Sequence, residues 1–209
     1  MSGRSWEEAV SSESNPRIAK SLQELWLGHK RFRDQRPQAQ TYSESELRQI
    51  AENQQPLAAI VACSDSRVAP EILFDQPLGG IFASRVPGNV ASDSAKWMLD
   101  IAVTELKVPL VLVLGHTGCL AIGQLLAGRV SSAGGTLRFD VQKAVHRARL
   151  GGPEGVFDRA VIENVRLTLE NLRRDSFPVQ RAIERGELGL YGGYYQMDLG
   201  EVRLLGNGG

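Results

Sequence analysis

Two apolar runs of strand length, each ending in a residue type that binds soft metals, constrain this chain more than any other feature. Residues 58–68 read AAIVACSDSRV, and residues 109–126 read PLVLVLGHTGCLAIGQLL. The first run stops at Cys63. The second passes through Gly115 to His116, with Cys119 three positions beyond that histidine. Continuous apolar runs this short predict strands buried on both faces. In open α/β sheets the functional loops gather at the carboxyl ends of strands. The sequence therefore predicts that Cys63, His116 and Cys119 meet there.

The surrounding pattern fits that frame. A strand is expected at 57–62 and another at 81–86, before the turn Pro87-Gly88-Asn89. Residues 94–106 carry Ala95, Leu99, Ala102 and Leu106 at helical spacing, and the strand at 110–114 follows. Strand, helix, strand in that order favours a right-handed parallel crossover. Upstream, Pro16 opens a helix to about Phe32, with Ile18, Leu22, Leu25 and Trp26 on one face. Ser43 with Glu46 reads as a capping box for a short helix to Ile50. Pro70 opens a turn or a single helical turn. Further helices are expected at 121–126, 139–150 and 154–172, with a serine and glycine loop at 131–136. Residues 188–195 and 201–205 read as a terminal hairpin or edge pair around Gly200. Residues 1–15 are polar and serine-rich and are expected to be loose or to lie on a partner subunit.

At 209 residues the chain suits one α/β domain. The expected division is an N-terminal arm and helix at 1–33 and a catalytic domain at 34–209. Lys plus Arg balances Asp plus Glu at 24 each, which gives no support for nucleic-acid binding. No run of 18 apolar residues predicts a membrane span, and the first fifteen residues lack the apolar core of a signal peptide. Two cysteines make no disulfide scaffold. The cytoplasm is the expected compartment.

Zinc prefers thiolate and imidazole ligands in a tetrahedral arrangement. His116 and Cys119, spaced HxxC, can bend onto one ion at the start of a helix, with Cys63 supplying a third ligand. The competing reading makes both cysteines core thiols and His116 a turn residue. His29 and His146 sit in helical, charged surroundings and are read as solvated. Asp65 follows Cys63 by two positions and Arg67 by four, so a carboxylate and a guanidinium flank the same site. They read either as a structural ion pair or as a gate on the fourth zinc position.

Cys63-Ser64-Asp65-Ser66-Arg67 followed by His116-Thr117-Gly118-Cys119 resembles the β-class carbonic anhydrases in both motifs, their order and their separation. Trp26-Leu27-Gly28-His29-Lys30-Arg31-Phe32, Arg85-Val86-Pro87-Gly88-Asn89 and the closing segment from Tyr194 to Leu205 resemble further parts of that family. The resemblance implies a mostly parallel central sheet flanked by helices, with an N-terminal helical arm. It implies zinc (Zn2+) held by Cys63, His116 and Cys119, and a catalytic dyad of Asp65 and Arg67. It also implies Gln76 as a substrate-positioning residue near a subunit interface, in a homodimer or homotetramer. The implied reaction is reversible hydration of carbon dioxide to bicarbonate and a proton.

Two departures stand out. The family usually has glycine directly after its second cysteine ligand, where this chain has Leu120, and Pro87 replaces the alanine of the family's turn. Leu120 is therefore a second candidate for shaping the substrate site. These departures keep two alternatives open: a zinc-dependent hydrolase of carbon disulfide or carbonyl sulfide, and a zinc-stabilised scaffold without turnover.

Overall fold

The computed structural model describes residues 3–38, 40–129 and 135–206. Strand β1 (Gly3–Arg4) and helix α1 (Trp6–Ser12) come first. Helices α2 (Pro16–Arg33) and α3 (Glu44–Glu52) follow. Strand β2 (Ala58–Ala62), the single turn α4 (Pro70–Leu73) and strand β3 (Ile81–Arg85) lead to a tight turn at Pro87–Asn89. Helix α5 (Asp93–Thr104) crosses to β4 (Leu110–His116), which runs into α6 (Leu120–Leu126). Three helices, α7 (Gly135–Leu150), α8 (Val156–Asp175) and α9 (Phe177–Glu184), precede the closing pair β5 (Gly189–Gln196) and β6 (Glu201–Leu205).

The strands form one sheet in the order β1-β6-β5-β4-β2-β3. Strands β3, β2, β4 and β5 are parallel, while β6 and β1 are antiparallel additions. The expected α/β fold with a mostly parallel sheet is the one present. Residues alternate between its two faces. Ala58, Ile60, Ala62, Leu110, Leu112 and Leu114 pack with Ile18, Leu22 and Leu25 of α2 and with Trp6 and Ala9 of α1. Ala59, Val61, Val111 and Val113 pack against α5, α8 and α9 through Leu99, Val165 and Val179. Helices on both faces explain why β2 and β4 read as unbroken apolar runs.

Three expectations change. Residues 3–12 are ordered: Ser5 and Glu8 form a capping box on α1, and the buried Trp6 donates its indole N–H to the Val202 carbonyl at 2.9 Å. Trp6 also stacks on Trp26 of α2, ring centroids 5.8 Å apart. The apolar face of α2 thus has a seat on this chain's own sheet. The closing segment is a hairpin but not an edge, because β5 pairs along its length with β4, from Leu110–Gly189 to His116–Tyr195. Helix α9, capped by Ser176 with Pro178 in its first turn, was not anticipated. The loop expected at 131–136 lies outside the described residues up to 134, and Gly135 already begins α7.

Candidate metal centre

The chain leaves β2 toward β3 on one side, then crosses back through α5 to β4 on the other. The winding direction reverses between β2 and β4, which opens a crevice at their carboxyl ends. Cys63 directly follows β2, His116 is the last residue of β4, and Cys119 is the N-cap of α6. The fold brings the three expected ligands together. Their ligand atoms lie within 4.8 Å of one another, and all three residues are buried.

Two observations test whether zinc fits. The sulfurs of Cys63 and Cys119 are unbonded and 3.9 Å apart. Two thiolates on a tetrahedral zinc, with Zn–S near 2.3 Å, stand about 3.8 Å apart. The His116 Nδ1 lies 2.8 Å from the Thr117 carbonyl oxygen, so it carries the proton and donates it there. That tautomer leaves Nε2 with a bare lone pair, and Nε2 is buried with no hydrogen-bond partner. A buried acceptor aimed at two thiols is what a metal ion would satisfy. The two thiols lie within hydrogen-bonding reach of each other, and their coupling lowers the pKa of Cys63 and raises that of Cys119. Zinc would favour the thiolate form of both.

Asp65 and Arg67 stand beside this group. Asp65 Oδ1 accepts from the Arg67 Nε at 2.9 Å and from its backbone N–H at 3.0 Å, and Oδ2 accepts from Nη2 at 2.8 Å. These hydrogen bonds hold the Asp65 carboxyl well below the usual carboxylate range. The Asp65 side chain is 7% exposed and that of Arg67 is 55% exposed, so the pair spans the boundary between site and solvent. Arg67 Nη2 also donates to the Gly118 carbonyl at 3.3 Å, tying the dyad to the second ligand loop.

Arg85, which opens the Arg85–Asn89 turn motif, also belongs to this site. It closes β3 opposite Ala62, and its guanidinium donates to the carbonyls of Cys63 and Asp65. The sequence signal was a lone arginine ending the strand beside the ligand strand. A cleft of about 460 Å³ at the site is lined by Cys63, Ser64, Asp65, Ser66, Arg67, Pro87, Leu120 and Ala121. Leu120 is 71% exposed and faces this cleft rather than the core.

Gln76 lies elsewhere. It is buried, its Nε2 donates to the Phe74 carbonyl at 2.8 Å, and it borders a larger hollow of about 890 Å³ that includes none of the ligand or dyad residues. His146 is exposed, as expected. His29 is not. Its ring is fully buried, with Nδ1 donating to the Leu73 carbonyl at 3.0 Å and Nε2 accepting the Val202 N–H at 2.8 Å. Burial among Trp26, Phe32 and Phe74 pushes its pKa down. The charged neighbours in sequence point away from it because α2 turns its other face to solvent.

Compared with known proteins, residues 58–202 match the family model described as "Carbonic anhydrase". The chain is 36% identical over 196 residues to carbonic anhydrase 2 of Mycobacterium tuberculosis, covering 91% of this chain and 93% of that relative. It is 35% identical over 161 residues to a carbonic anhydrase of Mycolicibacterium smegmatis, covering 74% and 77%. Among solved structures it resembles a Coccomyxa β-carbonic anhydrase in complex with acetazolamide, at TM-score 0.65 and 31% identity, with 76% of this chain and 75% of that one covered.

Proposed function

The chain belongs to the β-class carbonic anhydrase family, and from that premise we propose how its own residues carry out the reversible hydration of carbon dioxide to bicarbonate and a proton. The observation that carries this reading is the buried Cys63–His116–Cys119 group with the Asp65–Arg67 pair at its border. Enzymes of this family use zinc, and these three residues would hold it. Bound there, zinc supplies Lewis acidity that makes hydroxide available near neutral pH.

Asp65 keeps its negative charge because Arg67 holds it in a bidentate pair. A carboxylate has about four lone-pair directions and this one spends three, so it can accept one more proton donor. That acceptor orients the attacking water toward the substrate carbon. Arg67 also restrains Asp65 from becoming a fourth ligand, which keeps a position open for reaction. Leu120 and Pro87 border the cleft and shape the space for a small linear substrate. A purely structural zinc site needs no open position and no paired carboxylate beside it, which weighs against the scaffold alternative.

Gln76 acts on substrate only if a second copy of the chain presents it, since within one chain it borders a different hollow. The exposed Ile72 and Leu78 beside that hollow support a homodimer or homotetramer. We retain 1–33 as an arm and 34–209 as the catalytic domain on the same family resemblance. Two unbridged thiols support the cytoplasm as the compartment, since ligation requires them reduced. Among the described residues no helix is long and apolar enough to cross a membrane.

The test is stopped-flow hydration of carbon dioxide with a pH indicator, run beside carbon disulfide and carbonyl sulfide. Zinc-replete, folded protein should hydrate carbon dioxide well above buffer. Turnover of only the sulfur analogues would transfer the site to a hydrolase, and no turnover of any substrate would favour the scaffold.

A further inference from the structure

Behind the cleft, one buried side chain grips the turn that touches a metal ligand. Gly88 donates its backbone N–H to the Cys63 sulfur at 3.4 Å. On the other side of the same residue, the Gly88 carbonyl accepts from the Asn164 side-chain amide. Asn164 lies in α8, is 1% exposed, and has no place among the cleft-lining residues. Gly88 sits at φ +71° and ψ 20°, in the left-handed region that glycine enters most readily. Glycine also has the most alternative conformations to lose, so its two peptide groups stay in place only if something holds them. Here Cys63 takes the first; the second is held at its carbonyl by Asn164 and at its Asn89 N–H by the Val86 carbonyl, 3.0 Å away.

We propose that Asn164 is a positioning residue for the metal centre. It fixes Gly88 so that the amide keeps donating to the Cys63 sulfur. A hydrogen bond to a thiolate withdraws charge from sulfur and fixes its direction. Both effects bear on this site, because two thiolate ligands place more negative charge on the metal than neutral imidazoles would. The Gly88 amide offsets part of that charge. Helix α8 is well placed to serve as an anchor, since Val161 and Val165 pack directly behind Gly115 of β4.

The inference rests on Cys63, His116 and Cys119 being the metal ligands, and the experiment separates the two claims. Wild type, Asn164→Leu and Leu172→Ala are loaded with zinc and titrated with a competing chelator. Their cobalt-substituted forms are then compared by thiolate-to-cobalt absorption. Leu172 is fully buried in the same helix, about two turns beyond Asn164, so its truncation weakens α8 away from the residue that grips the turn. Asn164→Leu is expected to bind zinc about tenfold more weakly, in the range found for outer-shell ligand partners. Its thiolate-to-cobalt band should move to lower energy, because the sulfur regains charge. Leu172→Ala should lower the melting temperature while leaving zinc affinity and the band unchanged. If Asn164→Leu does not fold, Asn164→Asp, which keeps the volume and loses the amide donor, is judged by the same criteria. Zinc affinity within about twofold of wild type with an unmoved band overturns the role of Asn164, as does an equal loss in Leu172→Ala. Failure of the wild type to bind either metal instead overturns the ligand assignment beneath it.

Discussion

Arg67 is the residue whose removal most cleanly separates metal binding from turnover. Its side chain hydrogen-bonds to the Asp65 carboxylate and the Gly118 carbonyl and, among the described residues, to neither thiol. Arg67→Ala and Asp65→Asn are each expected to keep zinc at about one per chain while kcat/KM falls on the order of 10²-fold or more. Zinc content and stopped-flow rates measured on the same samples decide this, and parallel loss of both would reduce the dyad to a structural ion pair. The direction of the Asp65 shift also fixes a pH expectation. Its folded pKa lies below its unfolded value, so its contribution to stability is present above about pH 4 and is lost only as pH falls further. An acid limb near neutral pH in the rate profile therefore belongs to another group. His29 behaves in the opposite way. Its pKa is depressed by burial, so the unfolded chain takes up a proton that the folded one refuses. Stability should decline as pH falls through about 6.5. Denaturant midpoints should depend less on pH in His29→Gln, which should also cost about 1–3 kcal/mol at neutral pH for the orphaned backbone groups.

At the scale of elements, the sequence motif Trp26–Phe32 acquires a physical meaning that spacing did not reveal. Helix α2 clamps the segment 73–76 that carries Gln76. His29 holds the Leu73 carbonyl, and Arg31 pairs with the buried Asp75, whose carboxylate also accepts the Gln38 N–H. Gly28 lets the two backbones touch, since a Cβ there would lie 1.8 Å from the Phe74 oxygen. Gly28→Ala must push the two segments apart. It is expected to destabilise by about 1–3 kcal/mol, as overpacking does, which denaturant unfolding would register. An unchanged midpoint would mean that the loop moves freely and that the clamp is weak. The two short helices α1 and α9, absent from the sequence expectations, both carry legible start signals. Ser5 with Glu8 is a capping box, and Ser176 precedes a proline. Their apolar stretches were too short for periodicity to register.

For the whole molecule, assembly is tested through Gln76 and substrate choice through Leu120. Sedimentation at micromolar concentration should give a dimer or larger species, and a monomer would leave Gln76 away from the cleft at the ligand group. Leu120 tests the other departure from the family. It is exposed at the mouth of the cleft, so Leu120→Gly removes bulk without opening a core cavity. Its melting temperature should stay near that of wild type, apart from the usual cost of glycine near a helix start, while carbon dioxide turnover rises. Unchanged turnover would show that the side chain leaves the substrate path free.

The sequence by itself determined the buried strands β2 and β4, the three candidate ligand residues and the placing of Asp65 and Arg67 beside them. These are local: apolar runs of strand length, residue chemistry and spacing along a single loop specify them without reference to the rest of the chain. Tertiary structure decided what spacing cannot encode. His29 is surrounded by charged residues along the chain, yet the direction its helix faces buries it. Gln76 and Leu120 are separated onto different hollows by the path of the backbone. Asn164 reaches Gly88 across 76 residues because α8 packs behind β4. Side-chain burial and long-range hydrogen bonds depend on which surfaces meet, and that is fixed only when the helices close over the sheet.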